Sequence, residues 1–242
     1  MTESTAVARE KSDFALAHRI LAFEGMHEGV HNHLTLMMPG DEDQFFVTPG
    51  GLHFSDIRSD DVLIMSLEGS LVCGAGVPNE AAWCLHAPIH RLRADARCAI
   101  HLHSTYATAL MMRAGVTLNE CASQAAAIFL SDVAYYDTYD GVLREEEEGQ
   151  RMAERLGAKS VLVLRNHGYF IVGTSLGVAL ERAYFFERAC RLQLLAQAGS
   201  YPLNEIPEDL VAAVHEEESV YLGRYLDGMR RKFRRSEGPG RE

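Results

Sequence analysis

Cys98-Ala99-Ile100-His101-Leu102-His103-Ser104 is a short apolar run that ends in two histidines one residue apart. Side chains alternate across an extended strand, so His101 and His103 project to one face while Ile100 and Leu102 go to the other. A strand built this way can offer two imidazoles to one metal ion; a pair of ordinary core or surface histidines is the plain alternative. A second stretch favours the metal. Val161-Leu162-Val163-Leu164 reads as a buried strand running into Arg165-Asn166-His167-Gly168, a turn that carries a third histidine ahead of Tyr169-Phe170-Ile171-Val172. Three imidazoles at strand ends leave coordination positions open, the arrangement of a catalytic ion rather than a structural one.

Outward from this centre the chain alternates strands and helices. Phe14 to Phe23 has the periodicity of an amphipathic helix that ends near Gly25. From His33 the sequence turns strand-like and is closed by Pro39-Gly40. His31 and His33 make a second His-x-His pair and compete for the metal, but a turn must precede this strand, so the pair ranks below His101 and His103. Phe45-Phe46-Val47 is a short strand ending in Thr48-Pro49-Gly50-Gly51, where consecutive glycines expose backbone N–H groups and suit an anion-binding turn or a plain hairpin. Asp61 to Leu67 reads as a strand and Gly69 to Gly76 as a glycine-rich return. Gly74 and Gly76 are followed by Pro78 and lack the third glycine of a dinucleotide loop.

Asn79 can cap a helix reaching Leu92, on which His86 and His90 share a face; packing or solvent contact is their default role. Beyond the His-x-His strand come a helix from Thr105 to about Arg113, a strand at Val133 to Tyr136 within an otherwise unassigned 121–139 region, and a helix from Glu145 to Leu156. A long helix follows from Leu176 to Ala198, and a final one over about 208–230. Neither repeats nor a linker divide the chain. It reads as one domain over 1–242, with a core at about 15–198 and flexible ends.

The 242 residues can bury a full core without staples, and 47% hydrophobic with 24% charged residues is ordinary globular composition. A net charge of −11 argues against a nucleic-acid surface. The basic run Arg230-Arg231-Lys232-Phe233-Arg234-Arg235 reads as a solvated helix end. Five cysteines without a Cys-x-x-Cys pair point to reduced thiols, and no apolar stretch approaches the roughly 18 residues of a membrane span. The cytosol is the expected compartment. Gly173-Thr174-Ser175-Leu176-Gly177 fits a serine-hydrolase elbow, with Asp209 and His215 following in order, but Ser175 reads better as the N-cap of the helix behind it.

With these motifs in place the chain resembles the class II aldolase/adducin family from about Ala15 to Ala198. The resemblance rests on Asn32, Thr48-Pro49-Gly50-Gly51, His86 in a helix body, His101-Leu102-His103 and Asn166-His167-Gly168. It implies an α/β (α+β) fold, one three-layer αβα domain with a central, largely antiparallel mixed sheet, assembled as a homotetramer or related oligomer. It also implies a divalent metal on His101, His103 and His167, with zinc expected and iron or manganese as alternatives. Sugar-phosphate aldolases of this family carry Ser-Ser-Glu where this chain has Glu80, Ala81 and Ala82. The phosphate-binding serines and the usual catalytic carboxylate are therefore missing, and Glu80, one helical turn away, becomes the candidate catalytic group. Asn32, Gly50 and Gly51 are the candidate substrate-binding residues, suited to a small anion. The expected activity is metal-dependent carbon–carbon cleavage, aldol or decarboxylating, of an unphosphorylated hydroxy- or oxo-acid. A non-haem-iron oxygenase and a non-catalytic adducin-like interaction module are the alternatives.

Overall fold

The His-x-His run forms a fully buried strand as far as Leu102 inside an eight-stranded sheet, with His103 half-buried just beyond its end. The computed structural model describes residues 5–139, 141 and 145–237. In chain order the strands are β1 (His33–Met37), β2 (Gln44–Val47), β3 (Leu63–Ser66), β4 (Leu71–Cys73), β5 (Cys98–Leu102), β6 (Val133–Tyr136), β7 (Val161–Leu164) and β8 (Gly168–Gly173). Their order across the sheet is β4-β3-β2-β1-β5-β8-β7-β6, antiparallel throughout except for the β6/β7 pair. The central β5 sets His101 opposite His33 on β1 and opposite Phe170 on β8.

Among the described residues eight α-helices accompany the sheet: α1 (Thr5–Phe23), α2 (Glu80–Leu92), α3 (Thr105–Met111), α4 (Gln124–Ala127), α5 (Glu146–Leu156), α6 (Leu176–Ala196), α7 (Glu208–Ser219) and α8 (Arg224–Glu237). Strand alternation decides which helix meets which residue. Cys98, Ile100 and Leu102 join Phe14, Ile20, Leu110, Ala179 and Phe186 in one core beneath α1, α3 and α6. Ala99, Leu162 and Phe170 face the other way, onto Leu85 and Ile89 of α2 and Met152 and Leu156 of α5. Each fully buried Phe or Leu contributes about 1.5–3 kcal/mol, so both faces are strongly committed. The result is the expected three-layer αβα arrangement. No described helix is long and apolar enough to cross a membrane.

Several boundaries differ from the sequence reading for identifiable reasons. The final helix is two, α7 and α8, interrupted where Gly223 adopts φ +103° and lays its carbonyl against Gly177 of α6; a Cβ on Gly177 would sit 2.9 Å from that oxygen. The glycine-rich return holds the edge strand β4, whose three residues are all exposed and so show no alternation to read. The first helix begins at Thr5, nine residues before the apolar period does. The 121–139 region contains α4, capped by Ser123. The basic run near the C-terminus is partly engaged: Arg230 pairs with Asp13 of α1 at 2.8 Å as well as with Asp227. The expectation of flexible ends concerns residues 1–4 and 238–242, which lie outside the described residues.

Candidate metal centre

His101, His103 and His167 each bring one ring nitrogen to within 4.8 Å of the others. Two of these rings have a fixed tautomer. His101 donates from Nδ1 to the Tyr169 carbonyl at 3.1 Å, and His103 donates from Nδ1 to Oε2 of Glu28 at 2.5 Å. A neutral imidazole donating from Nδ1 carries only a lone pair on Nε2. The two Nε2 atoms nevertheless face each other at 2.9 Å. Two ligands held 2.0–2.1 Å from a tetrahedral ion would stand about 3.3 Å apart, so the two rings need only open slightly to admit an ion between them. The carbonyl and carboxylate behind the rings are the partners that orient metal-bound histidines and raise their basicity. The donor set therefore fits a divalent cation.

Electrostatics favour the neutral, ligating form of His101 and His167. Burial, then the neighbouring His103, lowers the His167 pKa to about 4, with Glu28 opposing. Burial holds His101 well below the ordinary imidazole value, helped by His33, His103 and His167. Neutral imidazole is the species that binds metal.

The local chain explains the Asn-His-Gly motif. Asn166 takes a left-handed φ of +61°, which asparagine tolerates better than most residues and which turns β7 back into β8. A Cβ on Gly168 would stand 2.3 Å from the Leu102 carbonyl oxygen and 2.6 Å from Cδ2 of His103, so only glycine lets the strands close beneath the imidazoles. Arg165 is pinned by Asp137 at 2.9 Å and lies over the Tyr135 ring. His101 stacks on Phe170 with centroids 4.4 Å apart.

Asn32 is buried just ahead of β1. Its Oδ1 accepts the Glu28 N–H at 2.6 Å, while its Nδ2 is buried without a partner. Gly50 gives its N–H to the Val77 carbonyl at 3.1 Å, which leaves Gly51, at φ +84° with open space above it, as the more available part of that turn. Glu80 lies exposed in the first turn of α2 and is not part of the imidazole group. The Pro49–Pro78 bridge places it beside the Gly50-Gly51 turn. His31 is exposed; His33 is buried, 5.0 Å from the His101 ring and outside the triad. Ser175 caps α6 by accepting the Val178 N–H, and His215 donates to the Ile128 carbonyl, so the hydrolase elbow has no assembled partners.

Two features escaped the sequence reading. Glu28 sits in a loop with no periodicity to mark it. His86 and His90 are packed, as expected, and in addition join Thr35 and His33 in a buried hydrogen-bonded chain. Their i, i+4 spacing on α2 and the i, i+2 spacing of His33 and Thr35 on β1 were the available signal.

Residues 12–194 match the Class II Aldolase and Adducin N-terminal domain family. The chain belongs to that family. Mouse alpha-adducin is 32% identical over 222 residues, covering 86% of this chain and 29% of its own length. A class II aldolase-type crystal structure, an aldolase II superfamily protein from Pseudomonas syringae, superposes with a TM-score of 0.86 at 28% identity, covering 97% of this chain and 95% of that one. L-fuculose 1-phosphate aldolase from Glaciozyma antarctica superposes with a TM-score of 0.79 at 29% identity, over 90% and 85% of the two chains. Similarity to an aldolase and to an adducin thus meets in one class II aldolase-type chain.

Proposed function

We propose that this protein is a metal-dependent lyase that cleaves a carbon–carbon bond of a small unphosphorylated hydroxy- or oxo-acid, by retro-aldol reaction or decarboxylation. The observation that carries the reading is the pair of Nε2 atoms converging at 2.9 Å, each ring oriented from behind by a hydrogen-bond acceptor. His101, His103 and His167 would hold a divalent ion, zinc in the first instance, which would supply Lewis-acid stabilisation of a developing enolate. The protein's own groups supply the rest. The partnerless Nδ2 of Asn32 is a buried donor that a substrate oxygen satisfies. The Gly50-Gly51 turn offers room for a carboxylate. Glu80, beside that turn and about 9 Å along α2 from His86, is the candidate proton carrier. It stands where a phosphate-binding serine would be needed, and its charge repels a phosphate.

The test is metal analysis of anaerobically purified protein, joined to a paired assay of hydroxy- and oxo-acids against sugar phosphates on wild type and Glu80→Gln. Zinc or manganese with acid turnover that falls in Glu80→Gln supports the reading. Tightly held ferrous iron moves it to an oxygenase, and efficient turnover of a sugar phosphate unaffected by Glu80→Gln sinks it. Similarity to alpha-adducin favours one further reading, a non-catalytic interaction module. Absence of bound metal with all three histidines intact would select that reading.

A further inference from the structure

Behind the imidazole triad runs a chain of hydrogen bonds whose direction is fixed at one end. His90 Nδ1 lies 2.7 Å from the Ala96 carbonyl oxygen, which can only accept, so this nitrogen carries the proton. A neutral His90 then has an unprotonated Nε2, and it sits 2.8 Å from Thr35 Oγ1. The single hydroxyl proton of Thr35 goes to that nitrogen. Thr35 Oγ1 is also 2.7 Å from His86 Nδ1, which must therefore donate to it. The other His86 nitrogen, Nε2, lies 2.8 Å from His33 Nδ1. His33 is then the donor, and its own Nε2 is left as a lone pair. Each link follows from the one before, and the order can be reversed only by placing a charge in the chain. All four side chains are 5% exposed or less, and no carboxylate is among their hydrogen-bond partners here. An unpaired charge at such a place is expensive. Burial accordingly depresses the pKa of His90 to about 4.

We propose that Thr35 is a positioning residue: with the Ala96 carbonyl, His90 and His86 it forms a tautomer lock that makes His33 an Nδ1–H donor and presents its Nε2 as a hydrogen-bond acceptor at the edge of the triad. The location follows from the sheet, where His33 faces His101 across the β1/β5 ladder with ring centroids 5.0 Å apart. An acceptor there is suited to the O–H of a hydroxyl-bearing substrate or a water. This use of His33 rests on the reading of the triad as the active site; the tautomer lock itself does not.

The experiment is long-range 1H–15N correlation spectroscopy of 15N-histidine-labelled full-length protein at neutral pH, with resonances assigned by single histidine variants. Wild type is expected to show His33, His86 and His90 as neutral Nδ1–H tautomers. Thr35→Val keeps the shape but removes the hydroxyl, so His86 and His33 should lose their single tautomer, whereas Thr35→Ser should preserve it. An Nε2–H form at any of the three rings in wild type overturns the proposal, and this holds even if Thr35→Val fails to fold. An unchanged spectrum in a folded Thr35→Val does the same. Cobalt(II) titration of the same samples separates the two levels: tautomers as expected without imidazole coordination of cobalt would refute the triad reading while leaving the lock in place.

Discussion

At the scale of single residues, the triad makes definite demands. His101→Ala, His103→Ala and His167→Ala should each abolish stoichiometric zinc binding while the far-ultraviolet circular dichroism stays native, since three protein ligands carry no redundancy. Retention of metal by all three variants would refute the site. Glu28→Gln keeps an acceptor for the His103 Nδ1–H but loses the charge. Outer partners of this kind are worth about 10–100-fold in metal affinity, and a competition titration against a chromogenic chelator should read a loss in that range. Gly168→Ala probes the same geometry from below. Its methyl would collide with the Leu102 carbonyl and the His103 ring, so metal affinity and stability should fall together.

At the scale of elements, the α2/α5 crossing is the tightest contact behind the site. Pro88 has no N–H to offer the Cys84 carbonyl one turn earlier, and α5 lays Gly149 against that same oxygen; a Cβ there would be 2.1 Å away. Gly149→Ala should therefore destabilise by about 1–3 kcal/mol or more, measured as a lowered urea midpoint. Elements of this kind also show what a sequence can and cannot disclose. Wherever the signal is a local apolar run or cap the reading succeeds: β5, β7 and β8 are buried apolar runs and α2 opens at Asn79, whereas the three-layer architecture was implied by the family resemblance. It fails where burial is absent or the decisive partner is distant. Exposed β4 has no pattern, the α7/α8 break depends on Gly223 meeting Gly177, and the role of His86 depends on two residues of β1 more than fifty positions earlier. The triad was legible because strand alternation is local. Glu28 and the histidine chain were not, because hydrogen bonds between loops, helices and strands leave no period.

At the scale of the whole molecule, buried histidines set the acid limit of stability. His18, wedged between Phe14 and Phe54, and His90 both have pKa values lowered by burial to about 4. The unfolded chain binds protons at these rings below about pH 6.5 while the folded one does not, so stability is fully present above that value and is lost as pH falls toward 4. By pH 5 each ring should cost on the order of 2 kcal/mol, and urea melts at pH 7 and pH 5 should show a steep decline. A flat profile would contradict the burial of both. The strand order also carries a consequence for how the molecule comes to exist. β1 to β4 form one meander of hairpins, and β7 and β8 form another with β6 alongside, whereas β5 alone joins the two halves. Pairings this remote in sequence close slowly. The imidazoles of β5 and of the turn before β8 belong to opposite sides of that seam, so a refolding chain should acquire its capacity to capture cobalt only in the slowest kinetic phase, after helical signal has already returned.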